Sequence, residues 1–333
     1  MSPGDPAPYP WQARAWAQLA QARRQGRLGH AWLVSGRPGM GKGAFTVALA
    51  RAVLCEAGGD TACGACRSCL LMTAGSHPDF CAVGIPEDKS GILIDQIREL
   101  NDFYTLSAHY GRAKLALISP SEAMNRPAAN ALLKLLEEPP PLALLILETA
   151  RPDLLLPTLR SRCQRISLDG IPDAEALAWL ATQMPAAAPA AVEALFLLGG
   201  RAPLAALAAH EQGLPALLGK LVPQMSGVAR GRIHAVQAAQ ALGEAPIATV
   251  VDLMQRVVHG LVTGEVGFLP AGEAADLLAL RDVLNSASLF GFLAEAVEVK
   301  RLATAAATLR QADLSETLWL AWMRATRTRR RRA

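Results

Sequence analysis

No uninterrupted apolar run of membrane-spanning length occurs in the 333 residues, although 51% of them are hydrophobic, so the sequence lacks a transmembrane helix of about twenty apolar residues. The opening MSPGDPAPYPWQ also lacks the charged-then-apolar layout of a secretory signal. The expectation is a soluble, cytoplasmic protein. Charge of one sign is scarce too: a formal net charge of +4 is slight for this length and does not demand a nucleic-acid partner. The exception is the end, RATRTRRRRA, which gathers Arg324, Arg327, Arg329, Arg330, Arg331 and Arg332. A solvated tail and a DNA-contacting arm both fit such a block of like charges.

One hydroxyl is missing where a pattern calls for it. Residues 36–43, GRPGMGKG, nearly complete the phosphate-binding loop G-x-x-x-x-G-K-[ST]. Gly36, Gly39, Gly41 and Lys42 are in place, but Gly43 stands where a Ser or Thr would coordinate the magnesium of a bound nucleotide. The context is right for a phosphate loop: AWLVSG before it is an apolar run, and AFTVALARAVLC after it has helical spacing.

Further apolar runs follow at FCAVGI (80–85), KLALIS (114–119), ALLILET (143–149) and QRISL (164–168), with helical stretches near 93–106 and 126–138. Short continuous apolar strands alternating with helices predict a parallel sheet covered on both faces, a doubly wound α/β nucleotide-binding domain over residues 1–168. From about 172 onward the chain is Ala- and Leu-rich, with helical periodicity and breaks at Pro and Gly. We expect a small helical unit over 169–210 and a longer all-helical domain over 211–333.

Hydrolysis in this class of fold needs an Asp and a Glu at the end of a second apolar strand. The suitable strand is KLALI, and Ser119 and Pro120 occupy those two places, with Glu122 out of step and expected to begin the next helix. Three parts of the metal and water machinery are therefore missing: the hydroxyl at Gly43 and the carboxylates at Ser119 and Pro120. The backbone donors and Lys42 could still cradle phosphates unaided, so the loop is compatible with an ATP that it cannot cleave.

Cysteine is sparse but concentrated. Cys55, Cys63, Cys66 and Cys69 lie in CEAGGDTACGACRSC, two C-x-x-C steps sharing Cys66 plus one more thiol. Four thiolates so close can enclose one tetrahedral Zn²⁺; free or redox-active thiols are the alternative. A metal would explain a Gly-rich insert of about 55–69 with almost no core of its own. Cys81 and Cys163 sit in or beside strands and read as small buried hydrophobes, and His77 is left outside a shell that four cysteines complete.

Together, NALLKLLEEPP (130–140), TLRSRCQ (158–164), the degenerate loop and the four-cysteine insert resemble the bacterial clamp-loader subunits, AAA+ proteins that load the sliding clamp of the replicative polymerase. The likeness is strong over about residues 10–170. It implies an AAA+ domain, a lid and a collar domain through which subunits join in a ring, with gamma/tau and delta subunits as partners and the sliding clamp and primed DNA reached through the complex. The departures at Gly43, Ser119 and Pro120 separate the chain from the family's motor subunits, as does Pro203, which falls where a motor carries a sensor Arg.

The family's Ser-Arg-Cys motif maps to Ser161, Arg162 and Cys163, and the resemblance implies that Arg162 acts in trans as an arginine finger on a neighbour's γ-phosphate. Without the resemblance Arg162 reads as a surface residue beside the strand QRISL. Leu132, Leu133, Leu135 and Leu136 read as the buried stripe of a helix ended by Glu137, Glu138 and the following prolines. Two other readings are an active gamma/tau-like ATPase, which needs carboxylates after KLALI, and a zinc-containing DNA-binding protein, which predicts a basic helix after Cys69 where LLMTAGSHPDF stands.

Overall fold

The five apolar runs form one parallel sheet in the computed structural model, which describes residues 9–243, 245–281, 284–305 and 310–326. Strands β1 (Ala31–Ser35), β2 (Phe80–Val83), β3 (Lys114–Ile118), β4 (Ala143–Thr149) and β5 (Gln164–Ser167) lie in the order β2-β3-β4-β1-β5. Leu33 of β1 sits opposite Leu147 of β4 on one side and Arg165 of β5 on the other. The loop leaving the carboxyl end of β1 is thus flanked by strands that enter the sequence more than a hundred residues later, a position where doubly wound sheets bind ligands.

Helix α1 (Ala13–Arg24) precedes the sheet, and α2 (Lys42–Leu54), α3 (Arg67–Thr73), α4 (Ile94–Thr105), α5 (Arg126–Glu137) and α6 (Pro157–Arg162) connect its strands. Alternation of side chains along each strand puts Leu33, Ala116, Ile118, Leu145 and Leu147 into one core with Ile97, Leu100, Leu132 and Leu136. Their neighbours in the strands, Trp32, Val34, Leu117 and Ile146, are buried as well, as expected of a sheet covered on both faces. Each such leucine contributes about 1.5–3 kcal/mol by leaving water.

Local chemistry explains the ends of α5. Asn125 caps its start by accepting the Ala128 N–H at 2.9 Å, Pro127 sits in the first turn, and Pro139 follows its end. Leu132, Leu135 and Leu136 are buried on it, whereas Leu133 is half-buried. Glu122 does not begin this helix; it lies in a separate one-turn 3-10 helix, Ser121–Ala123.

The described residues divide into two compact units, one running to Trp179 together with Ala202–Leu204, the other comprising Leu180–Arg201 and the chain from Ala205 onward. Helix α7 (Asp173–Gln183) runs across that division, and α8 (Pro189–Leu198), α9 (Pro203–Glu211), α10 (Leu214–Ala229), α11 (Ala235–Ala241), α12 (Ile247–Thr263), α13 (Ala271–Arg281), α14 (Ser286–Ala305) and α15 (Gln311–Thr326) follow. The second unit packs around Met225, Val251, Met254, Phe292, Trp319 and Trp322, with Trp322 Nε1 donating to the Met225 carbonyl at 3.0 Å. Among the described residues no single helix is long and apolar enough to cross a membrane. Of the basic tail, Arg324 lies in the last turn of α15 and pairs with Glu295; Arg327, Arg329, Arg330, Arg331 and Arg332 lie outside the described residues.

Candidate functional site

Leaving β1, the chain turns through Gly39 (φ 82°) and Gly41 (φ 77°), both in the left-handed region that glycine enters without a Cβ penalty. A Cβ on Gly41 would also lie 2.8 Å from Gln12 Nε2 and from the Tyr9 ring. Gly41 is the N-cap of α2 and supplies no side-chain acceptor, so the N–H groups of the first helical turn remain available to an anion. Lys42 reaches back with Nζ to the Arg37 carbonyl at 3.2 Å. Gly36, Gly39, Gly41 and Lys42 thus come together as one loop.

The chain's beginning braces that loop. Trp11 Nε1 and Gln12 Nε2 both donate to the Met40 carbonyl, at 3.1 and 2.8 Å. Trp11 stacks on Tyr9 with centroids 4.7 Å apart, and Trp179 meets Trp11 edge-on at 5.0 Å. The Leu204 N–H closes the set by donating to the Gly39 carbonyl at 3.1 Å. No sequence pattern announced these contacts, since each joins the loop to residues outside its motif.

On the far side of the loop, the nearest atom that a Cβ at Gly43 would meet is Glu148 Oε2, 3.9 Å away. Glu148 is buried near the end of β4, and its Oε2 accepts the Thr46 hydroxyl at 2.9 Å. The sequence pattern points to the end of β3 for a carboxylate, whereas this one lies on β4, the next strand of the sheet. At the end of β3 stand Ser119 and Pro120, neither able to hold a metal as a carboxylate does. Glu122 Oε1 is engaged in accepting the Ala150 N–H at 3.1 Å.

The four cysteines converge. The sulfurs of Cys55, Cys63, Cys66 and Cys69 all lie within 4.8 Å of one another, with Cys55 to Cys66 at 4.0 Å and Cys63 to Cys69 at 3.9 Å. Zinc–sulfur bonds of about 2.3 Å in a tetrahedron require sulfur–sulfur edges of about 3.8 Å, so the residues fit such an ion. Backbone N–H groups of Cys63, Cys66 and Cys69 donate to Cys55, Cys63 and Cys66 sulfurs at 3.3, 3.3 and 3.4 Å, which favours thiolates. Backbone hydrogen bonds from Ala65 and Cys66 lower the Cys63 pKa. Burial raises that of Cys69, whose proton a metal would have to displace.

His77 stands beside this cluster and is not a ligand. Ser68 Oγ donates to the Leu54 carbonyl at 2.7 Å and therefore accepts from His77 Nε2 at 2.8 Å, while His77 Nδ1 accepts the Asp79 N–H at 3.0 Å. Both ring nitrogens are used and the ring is neutral, with burial depressing its pKa.

Arg162 is the last residue of α6. Its Nη1 donates to the Thr158 carbonyl at 3.1 Å and its Nη2 to Glu137 Oε1 at 2.6 Å, and its side chain is 36% exposed. Cys163 beside it is buried in the core under the sheet, where burial pushes its thiol up to about 11. Ser161 Oγ donates to the Thr158 carbonyl. Motif and loop therefore occupy the same unit, with the arginine at its surface.

A five-stranded parallel sheet in this order, with a glycine-rich loop after its first strand and helices on its faces, defines a doubly wound α/β fold of the kind that binds nucleotides. The profile of the family "DNA polymerase III, delta subunit" matches residues 11–172. DNA polymerase III subunit delta' of Pseudomonas aeruginosa is 38% identical over 249 residues, covering 73% of this chain and 74% of that protein. The subunit of the same name from Escherichia coli strain K12 is 39% identical over 201 residues, 60% of each chain. The structure of a DNA polymerase III gamma subunit-related protein from Thermotoga maritima superimposes with a TM-score of 0.47 and 19% identity, over 93% of this chain and 100% of that one. The chain belongs to the family of DNA polymerase III delta' subunits of the clamp loader.

Proposed function

We propose that this chain is the non-hydrolysing member of a DNA polymerase III clamp loader, assembled with gamma/tau and delta subunits, and that it helps place the sliding clamp on primed DNA. The observation that carries the reading is a glycine-rich loop with Lys42 in place, combined with the absence of a hydroxyl at position 43 and of carboxylates at positions 119 and 120, where Gly43, Ser119 and Pro120 stand. Such a site lacks the loop hydroxyl and the two carboxylates after β3 that hold magnesium and polarise water in hydrolysing relatives of this fold. Lys42 and the free end of α2 suffice to hold phosphate oxygens, so ATP bound there would serve as a fixed element and not as fuel.

In this reading Arg162 is the contribution to a neighbour's chemistry. A guanidinium inserted into an adjacent ATP site offsets charge developing on the transferred phosphoryl, an effect on the order of 10³–10⁵ in rate. Its surface position at the end of α6 supports the role. The proposed division is a nucleotide-binding domain over 1–168, a lid over 169–210 and a collar domain over 211–333. Phe290 and Val297, seven residues apart on α14 and 60% and 57% exposed, suit a collar that meets other subunits. One zinc ion in the Cys55, Cys63, Cys66 and Cys69 cage would be structural, since four protein ligands leave no open position.

The test is ATP turnover and clamp loading by a complex in which this subunit alone carries Arg162→Ala. A drop in both, with assembly intact, is expected; activity equal to wild type rejects the finger.

A further inference from the structure

The insert between α2 and β2 has almost no core of its own, and its attachment to the domain is unusual in charge. Arg23, near the end of α1, donates from Nη1 to the Gly59 carbonyl at 2.6 Å. Arg112, just before β3, donates from Nη2 to the Glu56 carbonyl at 2.5 Å. Both acceptors belong to the loop that joins the ligands Cys55 and Cys63, and both arginines line one open cavity of about 320 Å³ at the base of the sheet. Among the described residues neither guanidinium has a carboxylate within salt-bridge distance. Asp60, the nearby acid of the loop, pairs with Arg24 instead, at 2.5 Å.

Two guanidiniums lining one cavity repel each other, and such a pair calls for a counter-charge. Burial and the Arg112 charge lower the Arg23 pKa, whereas Cys55 and Asp60 act in the opposite sense. Four thiolates around one divalent cation carry a net charge of about −2, which two arginines balance. Outer partners of metal ligands commonly set how firmly the metal is held.

We propose that Arg23 and Arg112 form a clasp that pins the Glu56–Gly59 loop through its carbonyls, offsets the charge of the tetrathiolate centre and so sets how slowly the metal leaves. These are positioning residues, since they touch the loop and not the metal. The proposal rests on the reading of the cysteine cage as a zinc site.

The experiment is zinc release from the full-length chain into a chromogenic chelator in excess, with zinc content measured beforehand by elemental analysis. Arg23→Gln/Arg112→Gln keeps side chains able to donate to the carbonyls but removes both charges, and release faster by about tenfold is expected. Arg23→Lys/Arg112→Lys restores the charges and should release near the wild-type rate. Arg24→Gln, which breaks only the exposed pair with Asp60, should stay within about twofold of wild type. Thermal unfolding of the three variants checks that the sheet domain is intact.

A zinc-loaded Gln variant releasing at the wild-type rate overturns the clasp, as does a Lys variant as fast as the Gln variant or an Arg24→Gln effect of equal size. Wild-type protein without stoichiometric zinc would instead overturn the zinc reading itself, so the two failures are distinguishable.

Discussion

Arg162 and Glu137 close the ends of two successive helices onto each other: the last residue of α6 donates to the last residue of α5 at 2.6 Å. The side chains are 36% and 51% exposed, so the pair contributes under about 1 kcal/mol to folding. In the proposed finger role Arg162 would have to leave Glu137 for a neighbour's phosphate, so the two acceptors would compete for one guanidinium. Glu137→Gln should leave thermal unfolding almost unchanged and give a reconstituted complex whose ATP turnover equals or exceeds wild type. Arg162→Lys should be slow, since a point charge lacks the planar fork. Turnover by Glu137→Gln as low as that of Arg162→Ala would mean that the carboxylate positions the arginine and does not compete for it.

The purified chain should carry one zinc per molecule. Cys66→Ser removes the sulfur shared by both C-x-x-C steps, and elemental analysis should then find the metal lost while far-UV circular dichroism keeps most of its helical signal. The separation is expected because Cys66 is not part of the core under the sheet.

The isolated chain should not hydrolyse ATP, and Gly43→Thr alone should not create that activity. A Cβ at this position has room, the nearest atom being Glu148 Oε2 at 3.9 Å, and thermal unfolding of the variant checks that the loop has not been disturbed. Steady turnover by the pure subunit would favour a motor.

Gly41→Ala tests the bracing of the loop. It places a Cβ at φ 77° and 2.8 Å from Gln12 Nε2 and the Tyr9 ring, which should cost about 1–3 kcal/mol. Urea midpoints report the loss, and Gly43→Ala, without those contacts, should be nearly neutral.

His77 predicts a pH dependence. Burial holds its pKa below the ordinary imidazole value of 6.5, so the unfolded chain takes up the proton first. Stability conferred by the neutral ring is complete well above pH 6.5 and declines as pH falls through that value. His77→Asn should show a shallower loss between about pH 7 and 5 in urea titrations. An identical slope would remove His77 as the cause.

The strands, the loop and the cysteine cage were legible in the sequence because each is written in a local pattern. Continuous apolar runs mark buried parallel strands at 31–36, 114–119 and 143–149, the Gly spacing from 36 to 41 marks the loop, and C-x-x-C brings sulfurs together within a few residues. The partnerships around them were decided by the tertiary structure. Thr46 meets Glu148 across 102 residues, Arg162 meets Glu137 across 25, and Arg112 reaches the Glu56 carbonyl across 56. Those meetings depend on β4 lying beside β1 and on where the crossover helices end. A single Arg or Glu carries no period of its own, and only the order of the strands and the ends of the helices between them select the group it will face.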